Sequence, residues 1–492
     1  MIPIKKIHTM TKYLLLLLPL LSMGQENFDQ LLFEQYEDFR ESAIENRRFK
    51  HQDIQPLLED LKNEDGFTIT NLGNSIQGRS ISMVSTGSGD VDVLLWSQMH
   101  GDESTATMAM FDIFNYLKEN KEILQGLRVH FIPMLNPDGA ELFQRRNAIG
   151  IDINRDALRL QSPESRILKA ARDSLQADFG FNLHDQSRYY NAEKTSKPAT
   201  LSFLAPAFNF EKDMSDKRGY AMKIIAIMNE VVQKHAKGQV GRYSDAFEPR
   251  AFGDNMQKWG TSTILIESGG HPDDREKQFI RKLNYLSILT ALKGISDQSF
   301  KAKSTKAYWD IPRNDRKLFD LKIENLTYPY LGASYTVDLG IIYNEFENNS
   351  HSDFYLVGKI VDIGDLSTHY GYETLSAEGF KFKTGETYPT ILSDFEEFKE
   401  LDIPQLLQNG YTSVSINELP TEIKFVTAPI NIVDIKKIQI PRNNEMPRPP
   451  VSFAKNPTFL LTKNDRVVYA VVNGFVYRVD GPVNGVKNGL VE

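Results

Sequence analysis

The chain has 492 residues and not one cysteine. Disulfides are therefore excluded, and thiolates leave the menu of metal donors, so that only His, Asp and Glu remain. Basic charge is in deficit: 57 Lys and Arg stand against 65 Asp and Glu, a net charge of -8. That balance argues against a nucleic-acid binder, which would present a basic face. No internal repeat, low-complexity tract or long block of like charge appears. Long apolar runs are missing too. The run Tyr13 to Leu21, YLLLLLPLL, is too short to span a bilayer, which takes about 20 apolar residues, so no membrane span is expected.

That run has another reading. Lys5, Lys6 and Lys12 precede it and Ser22, Met23 and Gly24 follow, giving a basic start, an apolar middle and a small residue near a cleavage point. The pattern predicts a signal peptide over residues 1–24, with Met10 as an alternative start, and a secreted or periplasmic protein. Such a protein without disulfides must be stable through core burial alone, which a chain this long can manage. The length also exceeds what one hydrophobic core usually serves, so two domains are expected.

From Phe67 onward, apolar strands alternate with helical patterns. Val91 to Met99 is a nearly continuous apolar strand, and Ala106, Ala109, Met110, Ile113, Phe114 and Leu117 recur at helical spacing just after it. Further strands are expected at Leu127–Pro133, Asp178–Leu183 and Ser262–Ile266, with helices near Pro163–Ser174 and Lys217–His235. Buried strands alternating with helices predict an α/β fold: a central mixed, mostly parallel sheet with helices on both faces. Around Asp297 to Arg316 this organisation fades. Beyond it come β-rich runs such as YTVDLGIIYNEF and FYLVGKIVDIG, separated by turn residues. The expected division is a catalytic domain over 25–304 and a smaller, β-sandwich-like C-terminal domain over 305–492.

Chemistry gathers at the strand ends. His100 ends one apolar strand, and Glu103 falls in the first turn of the next helix, giving HGDE at a strand-to-helix corner. His184 ends the strand in ADFGFNLHDQ. In open α/β sheets ligands bind at this carboxyl edge, and two imidazoles plus one carboxylate suit zinc with a fourth position left for water. Glu267 ends a third apolar strand, TSTILIESGG. It is either a general base with a raised pKa or a strand-end carboxylate that is solvated or paired with an arginine. Between these lies NPDGAELFQRRNAIGIDINRD, Asn136 to Asp156, which places Arg145, Arg146, Asn154 and Arg155 in one loop-rich stretch. Guanidinium forks match carboxylates and stabilise oxyanions, although surface salt bridges would use the same residues.

Taken together, the motifs HGDE, NPDG, RRN, GIDINR, NLH and LIE, in that order, resemble the zinc metallocarboxypeptidase family typified by carboxypeptidase A. The likeness covers roughly residues 67–295, and LGNSIQGRSI (Leu72 to Ile81) is similar to the family's opening strand. The resemblance implies that His100, Glu103 and His184 bind Zn2+, that Glu267 is the general base acting on water at the metal, and that Arg145 polarises the scissile carbonyl. It implies further that Asn154 and Arg155 clamp the substrate's terminal carboxylate. Tyr243 is the candidate for a pocket-closing tyrosine, with Tyr189 and Tyr190 as competitors. Phe252 and Asp254 are candidates for the specificity pocket, and His271 for a supporting role behind Glu267. The expected partner is a peptide or peptide-like substrate with a free carboxylate. The expected activity is removal of C-terminal residues from peptides; a related zinc amidase or muropeptide peptidase, or an inactive binding member, are the alternatives.

Overall fold

The computed structural model describes residues 28–347, 351–420, 422–437, 449–480 and 487–491. The predicted signal peptide lies outside these residues. No described helix is long and apolar enough to cross a membrane. The chain divides into two compact units, Met1–Arg316 and Lys317–Glu492.

The first unit is built on an eight-stranded sheet in the order β1-β2-β4-β3-β5-β9-β7-β8. Its strands are β1 (Phe67–Asn74), β2 (Ser80–Gly87), β3 (Val91–Trp96), β4 (Leu127–Ile132), β5 (Phe179–Asp185), β7 (Leu201–Leu204), β8 (Val240–Arg242) and β9 (Ser262–Ser268), while β6 (Asn191–Ala192) lies apart. Parallel pairing joins β4 to β3, β3 to β5, β5 to β9 and β7 to β8; the three remaining pairs are antiparallel. The sheet is thus mixed and parallel at its centre, as the strand–helix alternation predicts.

Strand periodicity explains the two covered faces. Successive residues of β3 point to opposite sides. Val93 and Leu95 enter a core with the helices Thr105–Glu119, Asp216–His235 and Gln278–Ser296. Leu94 and Trp96 enter a second core with Leu168 of the helix Pro163–Leu175 and with Phe252 and Met256 of the helix Phe252–Lys258. A strand buried on both faces is apolar on both, which is why Val93 to Trp96 shows no polar alternation.

The helix Thr105–Glu119 is buried nearly all round, and its Asp112 is fully inaccessible. A buried carboxylate needs partners. Arg281 Nε donates to Asp112 Oδ2 at 2.7 Å, Tyr36 Oη donates at 3.0 Å and the Glu41 backbone N–H at 2.8 Å. Arg281 also donates to the carbonyls of Ile44 and Glu41. One ion pair therefore joins two core helices to the segment that precedes the sheet.

The two compact units part between Arg316 and Lys317, twelve residues after the expected boundary. Residues 305–316 belong with the first unit, not with the C-terminal one. Tyr308 is buried in the first unit's core, and β10 (Asn314–Asp315) pairs with β6. Short polar sequence hides this, because two paired residues and a one-turn helix leave no periodic pattern.

The second unit holds two four-stranded sheets. One is formed by Leu318–Tyr330, Ala333–Glu347, Phe354–Gly364 and Tyr370–Ser376, the other by Lys381–Lys383, Phe459–Lys463, Arg466–Val472 and Phe475–Arg478. Leu321, Leu339 and Ile341 of one share a core with Phe459, Leu461 and Val471 of the other, the shared apolar interior of a sandwich. Between the first two strands of the second sheet the chain forms a three-stranded parallel sheet, Glu386–Leu392, Tyr411–Ile416 and Asn431–Asp434. That α/β element has its own small core around Leu392, Val414 and Ile432, and antiparallel runs alone do not anticipate it.

Replacing Arg281 with Met should strand Asp112 in the core. Because breaking a buried ion pair costs about 3–5 kcal/mol, urea unfolding should show a midpoint lowered by that amount of stability.

Candidate metal centre and cleft

Two motif glycines bring the site together. A Cβ on Gly101 of HGDE would meet the carbonyl carbon of Gly139 at 2.1 Å, so this corner and the NPDG turn touch backbone to backbone. Only residues without side chains permit that approach. Asn136 caps the short helix Pro137–Glu141 by accepting from the Gly139 N–H at 3.0 Å. Its amide faces the carbonyls of Met99 and Arg145, each at 3.4 Å. Asp138 is buried and accepts from Ser75 Oγ (2.8 Å), the Gln77 N–H (3.0 Å) and Arg79 (2.7 Å). The LGNSIQGRSI phrase thus serves to satisfy this one carboxylate.

These contacts set His100 and Arg145 on the same corner. His100 Nδ1 lies 2.9 Å from Glu103 Oε1, and His184 Nδ1 lies 2.6 Å from Glu103 Oε2. All three side chains are buried, and their ligand atoms fall within 4.8 Å of one another. The other ring nitrogens face outward: His100 Nε2 is 3.1 Å from Asp152 Oδ1, and His184 Nε2 is 3.4 Å from Asn154 Nδ2. Both Nδ1 atoms therefore turn to one centre, with a carboxylate orienting His100 from behind, the arrangement that supports a ligating imidazole. The residues fit a divalent cation.

Register places the fourth acid. His184 of β5 is the Cα partner of Glu267 of β9, so both side chains leave the same face at the same level. Glu267 lines a cavity of ≈ 370 Å³ together with His100, Glu103, Arg145, Asn154, Arg155, His184 and Tyr243. Every residue the sequence singled out as ligand, base or clamp is thus gathered around one space. Arg145 reaches into it with NH1 3.0 Å from His100 Nδ1 and 3.4 Å from Glu103 Oε1, while its Nε holds Asp152 at 3.1 Å. Asn154 Oδ1 accepts the Phe252 N–H at 2.9 Å, and Arg155 pairs with Glu248 at 3.4 Å.

The remaining candidates divide. Tyr190 lines the cavity beside Tyr243, their rings edge to face with centroids 6.2 Å apart, whereas Tyr189 does not line it. Asp254 lines it; Phe252 is instead fully buried against Trp259 in the second core. The helix that carries both residues turns the apolar ring inward and the carboxylate to the cleft. Arg146 is exposed and donates to the Gly150 carbonyl. His271 packs on Phe279 and contacts Gln239, away from the cavity lining, so it does not back Glu267. Sequence reading missed Asp152, although it sits inside GIDINR two residues before Asn154. Asn182, Asp185 and Gln186 were missed as well, for lack of any signal beyond their place beside a strand-end histidine.

The charges are tightly balanced. Burial pushes His100 down, but the charge of Glu103 and the hydrogen bond to Asp152 outweigh it and raise the imidazole to about 9. Burial dominates at His184 and lowers it despite Glu103. Burial would raise Glu103, yet the two imidazoles hold it well below the usual carboxylate range. Glu267 is raised well above that range, first by burial and then by the charge of Glu103. Burial also lifts Asp254 to about 7 against the Glu248 N–H that donates to it.

Residues 54–202 match the model of a family described as zinc carboxypeptidase. Carboxypeptidase SOL1 of Arabidopsis thaliana is 28% identical over 142 residues, covering 23% of this chain and 28% of the plant protein. The catalytic chain of human carboxypeptidase N is 26% identical over 139 residues, 22% of this chain and 30% of the human one. The chain thus spans under a third of the length of either relative. A solved structure of a metallo-carboxypeptidase from Burkholderia cenocepacia aligns with a TM-score of 0.41 and 16% identity, over 51% of this chain and 70% of that one.

A cation at His100 must displace the proton that His100 carries below about pH 9. Calorimetry in buffers of different ionisation heat should therefore show proton release on metal binding at pH 7. Affinity should climb with pH by about tenfold per unit and level off near 9.

Proposed function

We propose that the zinc-carboxypeptidase domain carried by residues 54–202, completed by the Tyr243 loop and Glu267, removes C-terminal residues from peptides. The observation that carries this reading is the meeting of His100, Glu103 and His184 with Glu267 and Arg145 around one cavity. Two imidazoles and a carboxylate form a donor set that zinc takes in hydrolytic sites, with one position left open. When bound there, zinc supplies Lewis acidity toward a carbonyl and lowers the pKa of water.

The chain's own groups do the rest. Glu267 takes the proton of the attacking water and later hands it to the leaving amine, a task suited to a carboxylate whose proton affinity is raised. Arg145 extends past the triad with a side chain that is 42% exposed, free to polarise the scissile carbonyl and to hold negative charge developing on its oxygen. Asn154 and Arg155 receive the substrate's terminal carboxylate, Arg155 trading its ion pair with Glu248 for the incoming one. Tyr243 closes the cleft over the bound residue from the loop that follows β8. The basic and apolar N-terminus supports a secreted or periplasmic location; sequencing of the mature protein should find a new terminus near residue 25.

Glu267→Gln should keep the metal and lose the base. Turnover should fall by about 10²–10⁴ while zinc content by elemental analysis stays that of the wild type. Full activity in this variant would remove Glu267 from its role. Mass spectrometry of a peptide library should show residues leaving from the carboxyl end only, and none after chelation.

A further inference from the structure

We propose that Lys277 and Asp185 form a buried latch that fixes the spacing between the metal-ligand triad and Glu267, making both of them positioning residues of the site. The inference rests on reading His100, Glu103 and His184 as metal ligands.

The latch joins the residues that follow the site groups. Asp185 comes directly after His184, Ser268 directly after Glu267, and Thr105 two positions after Glu103. All three meet at one ion pair. Asp185 Oδ2 accepts from Thr105 Oγ1 at 2.6 Å and from Lys277 Nζ at 3.0 Å. Lys277 Nζ donates as well to the Ser268 carbonyl at 2.9 Å. The Asp185 backbone N–H donates to Glu103 Oε2 at 3.2 Å, which ties the latch to a ligand atom itself. In the ladder, His184 stands opposite Glu267 and Asp185 opposite Ser268. The ammonium thus spans β5 and β9 one rung beyond the ligand and the base.

Both charged side chains are nearly inaccessible, at 11% and 7% exposure. Burying two charges costs several kcal/mol per ion, and an apolar pair would pack such a position at least as stably. What an apolar pair cannot supply is direction, whereas the ammonium and the carboxylate fix three chain segments by directed bonds. Lys277 also has a left-handed backbone, φ 54°, at the head of the helix Gln278–Ser296. A long side chain seldom adopts that conformation, and here it goes with an ammonium that reaches the carboxyl ends of the strands.

Three variants test the latch: Lys277→Met, Lys277→Arg, and Asp185→Asn combined with Lys277→Met, which leaves no lone buried charge. Each is read by zinc affinity in competition with a chromophoric chelator, by the visible spectrum of the cobalt(II)-loaded protein, and by kcat and KM. Lys277→Met should weaken zinc binding about tenfold to a hundredfold, alter the cobalt bands, and lower kcat with KM held within about twofold. The double variant should show the same losses, and Lys277→Arg should recover most of the affinity. Wild-type affinity and cobalt bands in Lys277→Met and the double variant would overturn the latch while leaving the metal reading intact. A wild-type protein that takes up neither zinc nor cobalt would overturn the metal reading, and the latch with it.

Discussion

The Glu103 carboxylate sits between two imidazole nitrogens, 2.9 Å from one and 2.6 Å from the other, in a place with little access to water. A buried anion of this kind is tolerable only when its partners are held in place, and much of the surrounding structure does the holding. Asp152 fixes the far nitrogen of His100 and anchors Arg145. The contact between Gly101 and Gly139 sets the corner on which His100 stands. Asp138, deep behind that corner, collects three donors from the first hairpin. Polar groups distant in sequence thus serve one small volume of space.

The cleft is rich in acid. Glu103, Asp185, Glu248, Asp254 and Glu267 line it, against Arg145 and Arg155. Burial first, and the charge of neighbouring carboxylates after it, raises the proton affinity of Glu267 and Asp254, and such a density of acid favours a doubly charged cation. The same field makes arginine the suitable residue for the anionic end of a ligand, since the guanidinium stays charged whatever its neighbours do.

Much of this was legible in the chain because strand-end histidines, a helix-start glutamate and tight turns leave local marks. HGDE and NPDG are short phrases whose geometry is decided within a few residues, and the alternation of buried strands with helices predicts the central sheet. The rest depends on distance. Nothing near Lys277 in sequence announces that its ammonium reaches the ends of two strands, and Asp152 differs from any turn aspartate only by what lies across from it. Phe252 and Asp254 are two residues apart, yet one fills the core and the other the cleft, a choice made by the facing of a seven-residue helix. The small parallel sheet in the second unit escaped notice because its strands are short and their order is set by pairing rather than by pattern.

The segment between Thr305 and Arg316 also decides where the polypeptide can be divided. Tyr308 Oη accepts from the Ala205 N–H at 3.3 Å, and Asn314 donates an amide hydrogen to Gln186 Oε1 at 2.7 Å on the cleft wall. A recombinant fragment stopped at residue 304 would open a hole in the interior and loosen that wall. One stopped after Arg316 would carry its own plug.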